Sequence, residues 1–125
     1  MNWLIFVVLA AFGAALRLVL TQGSSRIFTD FHLPLGTLAA NAIGAFLIGW
    51  IYSLNLQGKF FASQTIYLIL AIAFLGSLTT FSTFAIDTIK LFQGGYWGWG
   101  GANIILTNLI CLGLCYLGIK LGSAY

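Results

Sequence analysis

Charge is what this sequence has least of. Only 6% of its 125 residues are charged, against 61% that are hydrophobic, and just two are acidic. A soluble domain carries about 25% charged residues. So few charges cannot cover a water-facing surface, which excludes a soluble globular domain and points to a bilayer as the solvent. The formal net charge of +3 is small and gives no reason to invoke nucleic acid as a partner. Cysteine is almost as scarce: Cys111 and Cys115 are the only two. They lie four apart on one helical face, with no histidine or acid close by in sequence. That argues against a metal site built on thiols and suits small, buried hydrophobes. No ATP-binding motif is present, and nothing marks the chain as an enzyme.

What is abundant is uninterrupted apolar sequence. Residues 3 to 20 carry one charge, Arg17 near the end, and residues 33–56, 60–86 and 94–119 carry none. A spanning helix needs roughly 20 apolar residues. The expectation is an all-α membrane protein of one domain, residues 1–125, with four transmembrane helices at about 3–20, 33–56, 62–92 and 100–122. The connectors are short, at about 21–32, 57–62 and 93–99. The first segment lacks the basic stretch of a signal peptide and reads as a retained helix.

Lysine and arginine near span ends set orientation. Lys59 and Lys120 fall on one side; Arg26 and Lys90 fall on the other, with Arg17 at the end of span one. This near-balance selects no single orientation. It suits dual topology, in which copies insert both ways and pair antiparallel. The plainer alternative is a small protein with few charges to count. Small residues recur at helical spacing: Ala40 and Gly44, Ala45 and Gly49, Gly118 and Gly122. Such faces allow close helix packing in lipid. Four helices alone make a poor solute pathway, so transport would need a dimer or more.

Polar groups inside a membrane are costly and default to functional hypotheses. Asn41 lies mid-span in "GTLAANAIGAFLIG", with Thr37 four residues earlier on the same face. Thr79, Thr80, Ser82 and Thr83 crowd span three within "GSLTTFSTFAID", which ends at Asp87. Thr107 and Cys111 share a face of span four. As one straight helix, span three would reach about 50 Å, well over the roughly 30 Å hydrocarbon core. A break within "GSLTTFS" resolves this, with Gly76 as the permissive position and hydroxyls re-satisfying the backbone. Carbonyls freed there can coordinate a small cation. The alternative is a tilted helix whose hydroxyls bond to their own turn. Phe81 and Phe84, three apart, project from one face. A ring edge is electropositive and can meet a bare anion where no charged group is affordable. Ordinary lipid-facing or core packing also accounts for such a pair.

"GTLAAN" in span two and "GSLTTFSTF" in span three resemble the signatures of the Fluc (CrcB) family of fluoride channels, and Arg17 within "GAALR" matches that family's span-one arginine. The resemblance covers essentially the whole chain. It implies an antiparallel dual-topology homodimer in the cell inner (plasma) membrane, exporting fluoride passively through two pores. Phe81 and Phe84 would be the fluoride-contacting "Phe box" and Asn41 the pore-lining amide. Ser82, Thr83 and Thr37 would contribute polar surroundings. Thr107 and Cys111 would continue the pore along span four, with Cys111 where a serine is frequent. Backbone carbonyls of Gly76 and Thr79 would hold a structural sodium ion on the dimer axis. Arg17 would make a structural contact or shape an entrance, and Asp87 would lie near a pore mouth.

Two other classes compete. A small dual-topology drug/proton exporter needs a membrane-embedded acid, and Asp87 lies late in span three. A non-transporting scaffold subunit would explain the small-residue faces, but not Asn41 and the hydroxyl cluster.

Overall fold

The computed structural model describes residues 3–27, 32–58 and 64–124. Lys59 and the expected start of span three at residue 62 lie outside them. Among the described residues there is no strand. Four helical rods, each long and apolar enough to cross a membrane, run Trp3–Ile27, Leu35–Leu56, Gln64–Gln93 and Trp97–Ala124. The third is broken. The elements are α1 (Trp3–Ile27), α2 (Leu35–Leu56), α3 (Gln64–Leu68), a π-helical stretch (Ile69–Leu75), α4 (Gly76–Leu78), α5 (Phe81–Gln93) and α6 (Trp97–Ala124).

Helix α1 continues past residue 20 because the polar residues there satisfy themselves locally. Thr21 Oγ1 donates to the Arg17 carbonyl at 3.0 Å, and Ser25 Oγ to that of Gln22 at 2.9 Å. Arg17 therefore stands well inside the helix rather than at its end. Pro34, which has no N–H to satisfy, precedes α2. Gly95, at φ +80°, sits in the tight turn into α6.

Glycine sets the close approaches. A Cβ on Gly49 would strike the Cys115 carbonyl, and one on Gly118 the Phe46 carbonyl, so α2 and α6 pack backbone to backbone. Gly122 continues the seam, with the Trp50 carbonyl 2.9 Å from where its Cβ would be. Gly13, the one buried residue of α1, faces the Phe74 carbonyl and Ser77 Oγ of the third rod. The remainder of α1 shows large apolar side chains outward, including Trp3, Val7, Phe12 and Val19. This is the surface a helix presents to lipid. The core lies beside the break: Ala40, Ile51, Leu75 and Leu78 form it, with Leu47, Tyr67 and Phe74 packed on.

The break falls at two threonines, not at Gly76. Gly76 is helical (φ −65°, ψ −30°). The chain leaves the helix at Thr79 (φ −81°, ψ 154°) and Thr80 (φ −154°, ψ 116°). Any residue adopts such extended angles, so glycine's freedom is not what makes the break. Hydrogen bonding makes it. The Thr80 N–H, which in a continuous helix would donate to the Gly76 carbonyl, donates to Asn41 Oδ1 at 2.7 Å. Thr80 Oγ1 then caps α5, accepting from the Thr83 N–H at 3.2 Å.

Candidate functional site

A groove of about 380 Å³ opens beside the break. Helix α2 contributes Asn41 and Gly44, the third rod Gly76, Thr79, Thr80, Phe81 and Phe84, and α6 Thr107, Asn108 and Cys111. Most of the candidates thus meet in one place: Asn41, Gly76, Thr79, Phe81, Phe84, Thr107 and Cys111.

Phe81 and Phe84 have ring centroids 5.4 Å apart and planes at 47°. Their surroundings differ sharply. Phe84 is 9% exposed and Phe81 79% exposed within the protomer. One ring is anchored in the fold; the other stands open at the groove rim. Thr79 closes the floor against α2. Its Oγ1 donates to the Leu75 carbonyl at 3.0 Å, and its methyl group fills the space beside Gly44 that a Cβ would need.

The other candidates lie elsewhere. Thr37 and Thr83 line a second cavity of about 340 Å³ with His32 and Asp87. There Thr37 Oγ1 donates to Asp87 Oδ2 at 2.8 Å, tying α2 to α5. Arg17 lines a third space with Thr21 and Thr83. Ser82 is exposed and reaches only Thr80 Oγ1, at 3.0 Å. The hydroxyl cluster around "TTFST" is therefore divided between separate cavities and a local cap. Cys111 and Cys115 are both free and half-buried.

The groove is lined mostly by apolar surface with a few uncharged polar groups set into it, and this decides what it can do. It offers hydroxyls, amides and ring edges, and no side-chain charge. Such a surface can pass an ion stripped of part of its water without holding it permanently. Comparison with known proteins points the same way. The family described as CrcB-like protein, Camphor Resistance (CrcB), matches residues 4–119. The chain belongs to the CrcB family. Over 122 residues it is 40% identical to the fluoride-specific ion channel FluC of Shewanella loihica, covering 97% of this chain and 96% of that one. It is 39% identical over 118 residues to the FluC protein of Geobacter metallireducens (93% and 94% covered) and 38% over 122 residues to that of Shewanella sediminis (97% and 96%).

This CrcB chain also carries a buried polar ladder that sequence reasoning missed. Asn103, 1% exposed, donates from Nδ2 to Thr88 Oγ1 at 2.8 Å. Thr88 Oγ1 donates in turn to the Phe84 carbonyl at 2.7 Å. Thr107 Oγ1 donates to Asn103 Oδ1 at 3.3 Å. The ladder joins α5 to α6 directly behind the anchored ring. A signal was available: Asn103 lies four residues before Thr107, extending the Thr107–Cys111 face by one turn. Replacing one rung leaves its partner's polar atoms buried and unpaired, at roughly 1–3 kcal/mol. Asn103→Leu is expected to cost that much in thermal unfolding of the purified protein. Adding Thr107→Val should restore part of the loss, because Thr107 Oγ1 loses its acceptor with Asn103, whereas Thr88 keeps the Phe84 carbonyl. If the double variant is as unstable as the two single losses summed, the rungs do not act together.

Proposed function

We infer that this chain is a fluoride channel, releasing fluoride passively down its electrochemical gradient. The carrying observation is the groove, in which the Phe81–Phe84 ring pair meets neutral polar groups beside a helix break. The names of its CrcB relatives agree with this reading.

The mechanism follows from acid chemistry and electrostatics. Hydrogen fluoride is a weak neutral acid that crosses bilayers and ionises inside a cell. The bare anion cannot return through hydrocarbon, so it accumulates. A passive pore suffices to release it. A negative-inside potential of about 100 mV drives each charge outward by roughly 2.3 kcal/mol, enough for an outside-to-inside ratio of about fifty. The positive ring edges of Phe81 and Phe84 meet the partly dehydrated anion, while Thr107 and Cys111 continue the polar wall along α6.

The working unit is an antiparallel dual-topology homodimer in the plasma membrane, with two pores. This would cover Phe81, left open in the single protomer. A sodium ion between the protomers suits the freed backbone. The Gly76 carbonyl has lost its helical donor, because the Thr80 N–H bonds Asn41, and Thr79 has turned to extended angles. Hard carbonyl oxygens favour a hard cation. Gly76 and Thr79 of each protomer would hold it, and its charge would offset anion repulsion. A proton-coupled exporter is less well served, since Asp87 already accepts the Thr37 hydroxyl.

Liposomes carrying the purified protein should release fluoride when a potassium ionophore sets the potential, with chloride retained. Dialysis of the detergent-solubilised protein into sodium-free buffer should lower the release, and sodium should restore it. No fluoride release from dimeric protein overturns the channel. Release indifferent to sodium removes only the cation.

A further inference from the structure

Asn41 stands in the groove wall, yet its amide is already engaged. Oδ1 accepts from the Thr80 N–H at 2.7 Å, and Nδ2 donates to the Thr80 carbonyl at 3.2 Å. Both backbone groups of one extended residue are thereby held by one side chain, 39 positions away in sequence. Thr80 is 7% exposed, so these groups have little access to any other partner. We propose that Asn41 is the positioning residue of the helix break: its amide clamps Thr80 in the extended conformation, and so places the Phe81–Phe84 ring pair on the groove.

Without the clamp, the buried Thr80 N–H is left with one inexpensive option, the carbonyl of Gly76 four residues back. Taking it closes the break and continues α4 into α5. Each residue that changes from extended to helical angles redirects everything after it, and Phe81 follows Thr80 directly. The cap would go as well. Thr80 Oγ1 accepts from the Thr83 N–H and bonds Ser82 Oγ and Thr83 Oγ1, contacts that depend on Thr80 standing outside the helix. Gly44, one turn along α2 from Asn41, leaves room for the Thr79 side chain. One helix therefore supplies both the clamp and the recess for the two broken residues.

The function of Asn41 then differs from that of a direct anion donor. One Nδ2 hydrogen and one Oδ1 lone pair are committed to Thr80. The residue acts on the anion chiefly through the rings it places. This inference rests on the fluoride-channel reading for its effect on flux, though not for its effect on the backbone.

The test replaces the Thr80 N–H with an ester oxygen, by incorporating the α-hydroxy analogue of threonine at position 80. The ester is compared in wild-type protein and in Asn41→Leu, which keeps the branched side-chain shape and removes both bonds; Asn41→Ala, which adds no bulk, serves as a second background. A lost buried hydrogen bond is worth roughly tenfold. The ester is expected to cut fluoride flux from liposomes about tenfold more in the wild-type background than in either variant. Equal cost in all backgrounds overturns the clamp, because a packing role or a direct anion contact at position 41 would combine independently with the ester. If neither variant folds, the ester in otherwise wild-type protein decides, and unchanged flux overturns the proposal. Backbone chemical shifts supply a readout independent of transport. In Asn41→Leu the shifts of Thr79 and Thr80 should move from extended towards helical values, while those of α1 stay as in wild type. Extended shifts retained at both threonines overturn the clamp even if the protein proves not to conduct fluoride.

Discussion

Phe84→Ile is expected to lower fluoride flux by more than tenfold, and Phe81→Ile by a similar factor, with chloride still excluded. Isoleucine keeps apolar bulk and removes the electropositive ring edge. If that edge meets the anion, its loss is a loss of electrostatic stabilisation in a place where water cannot substitute. About 1.4 kcal/mol is a factor of ten, which one or two ring contacts supply. The two variants separate transport from folding. Phe84 is buried, and its carbonyl accepts from the Thr88 rung of the ladder, so its replacement should also cost about 1–2 kcal/mol of stability. Phe81 is open at the groove rim within one protomer and would be covered only by the partner, so its replacement should cost the fold of the protomer little and show instead as easier dissociation of the dimer on dilution. Liposome flux and thermal unfolding, read on the same preparations, check both. Normal flux in both variants would show the pair to be packing alone.

The largest effect on the fold should come from the seam between α2 and α6. Gly118→Leu is expected to destabilise by about 3 kcal/mol or more, or to abolish folded protein. The reason is the identity of the neighbour. A new Cβ at Gly118 meets the Phe46 carbonyl, and at Gly49 the Cys115 carbonyl. Backbone cannot rotate aside as a side chain can, so the helices must separate along their length. Separation forfeits the dispersion contacts that hold helices together in lipid. Gly113 provides the control, because nothing lies within 4 Å of a Cβ built there. Gly113→Leu should be tolerated, and Gly113→Ala should gain slightly from helix propensity. Survival of each variant on gel filtration after graded heating measures the difference. Equal survival of Gly118→Leu and Gly113→Leu would mean that the seam does not limit stability.

The sequence made the spans legible because hydrocarbon thickness leaves little choice of length. It also offered a break in the third span, within residues 76–82, as an alternative to a tilted helix, since a polar stretch interrupts a helix too long for its slab. The break falls in that stretch, but which residues leave the helix was not legible. The position is chosen by Asn41, whose bond to Thr80 joins residues far apart in the chain, and local spacing favoured Gly76 instead. The pairing of Thr37 with Asn41 needs the same distinction. Thr37 shares a helical face with Asn41, but the two meet different elements: Thr37 meets Asp87 of α5, Asn41 the break. Helical periodicity reports which residues point together, and says nothing of what stands opposite. The Thr88–Asn103 contact was invisible for the same reason, as it exists only once α5 and α6 fold back on one another. The glycine pairs lay between these cases. Their close approach was readable from size, and their partners were not.

The π-helical stretch at Ile69–Leu75 has a consequence for how this chain can vary. Its wide turn ends where the Gly76 N–H reaches the Ala71 carbonyl, five residues back. Such a turn accommodates one more residue per hydrogen-bonded loop than an α-helix does. In a regular helix, gaining or losing a residue rotates everything beyond it by roughly 100°. Here a change of length can be absorbed as a change of winding. The stretch acts as a phase adjuster between α3 and the break, so an insertion or deletion on the far side of Ile69 need not turn Gly76 and Thr79 away from the groove.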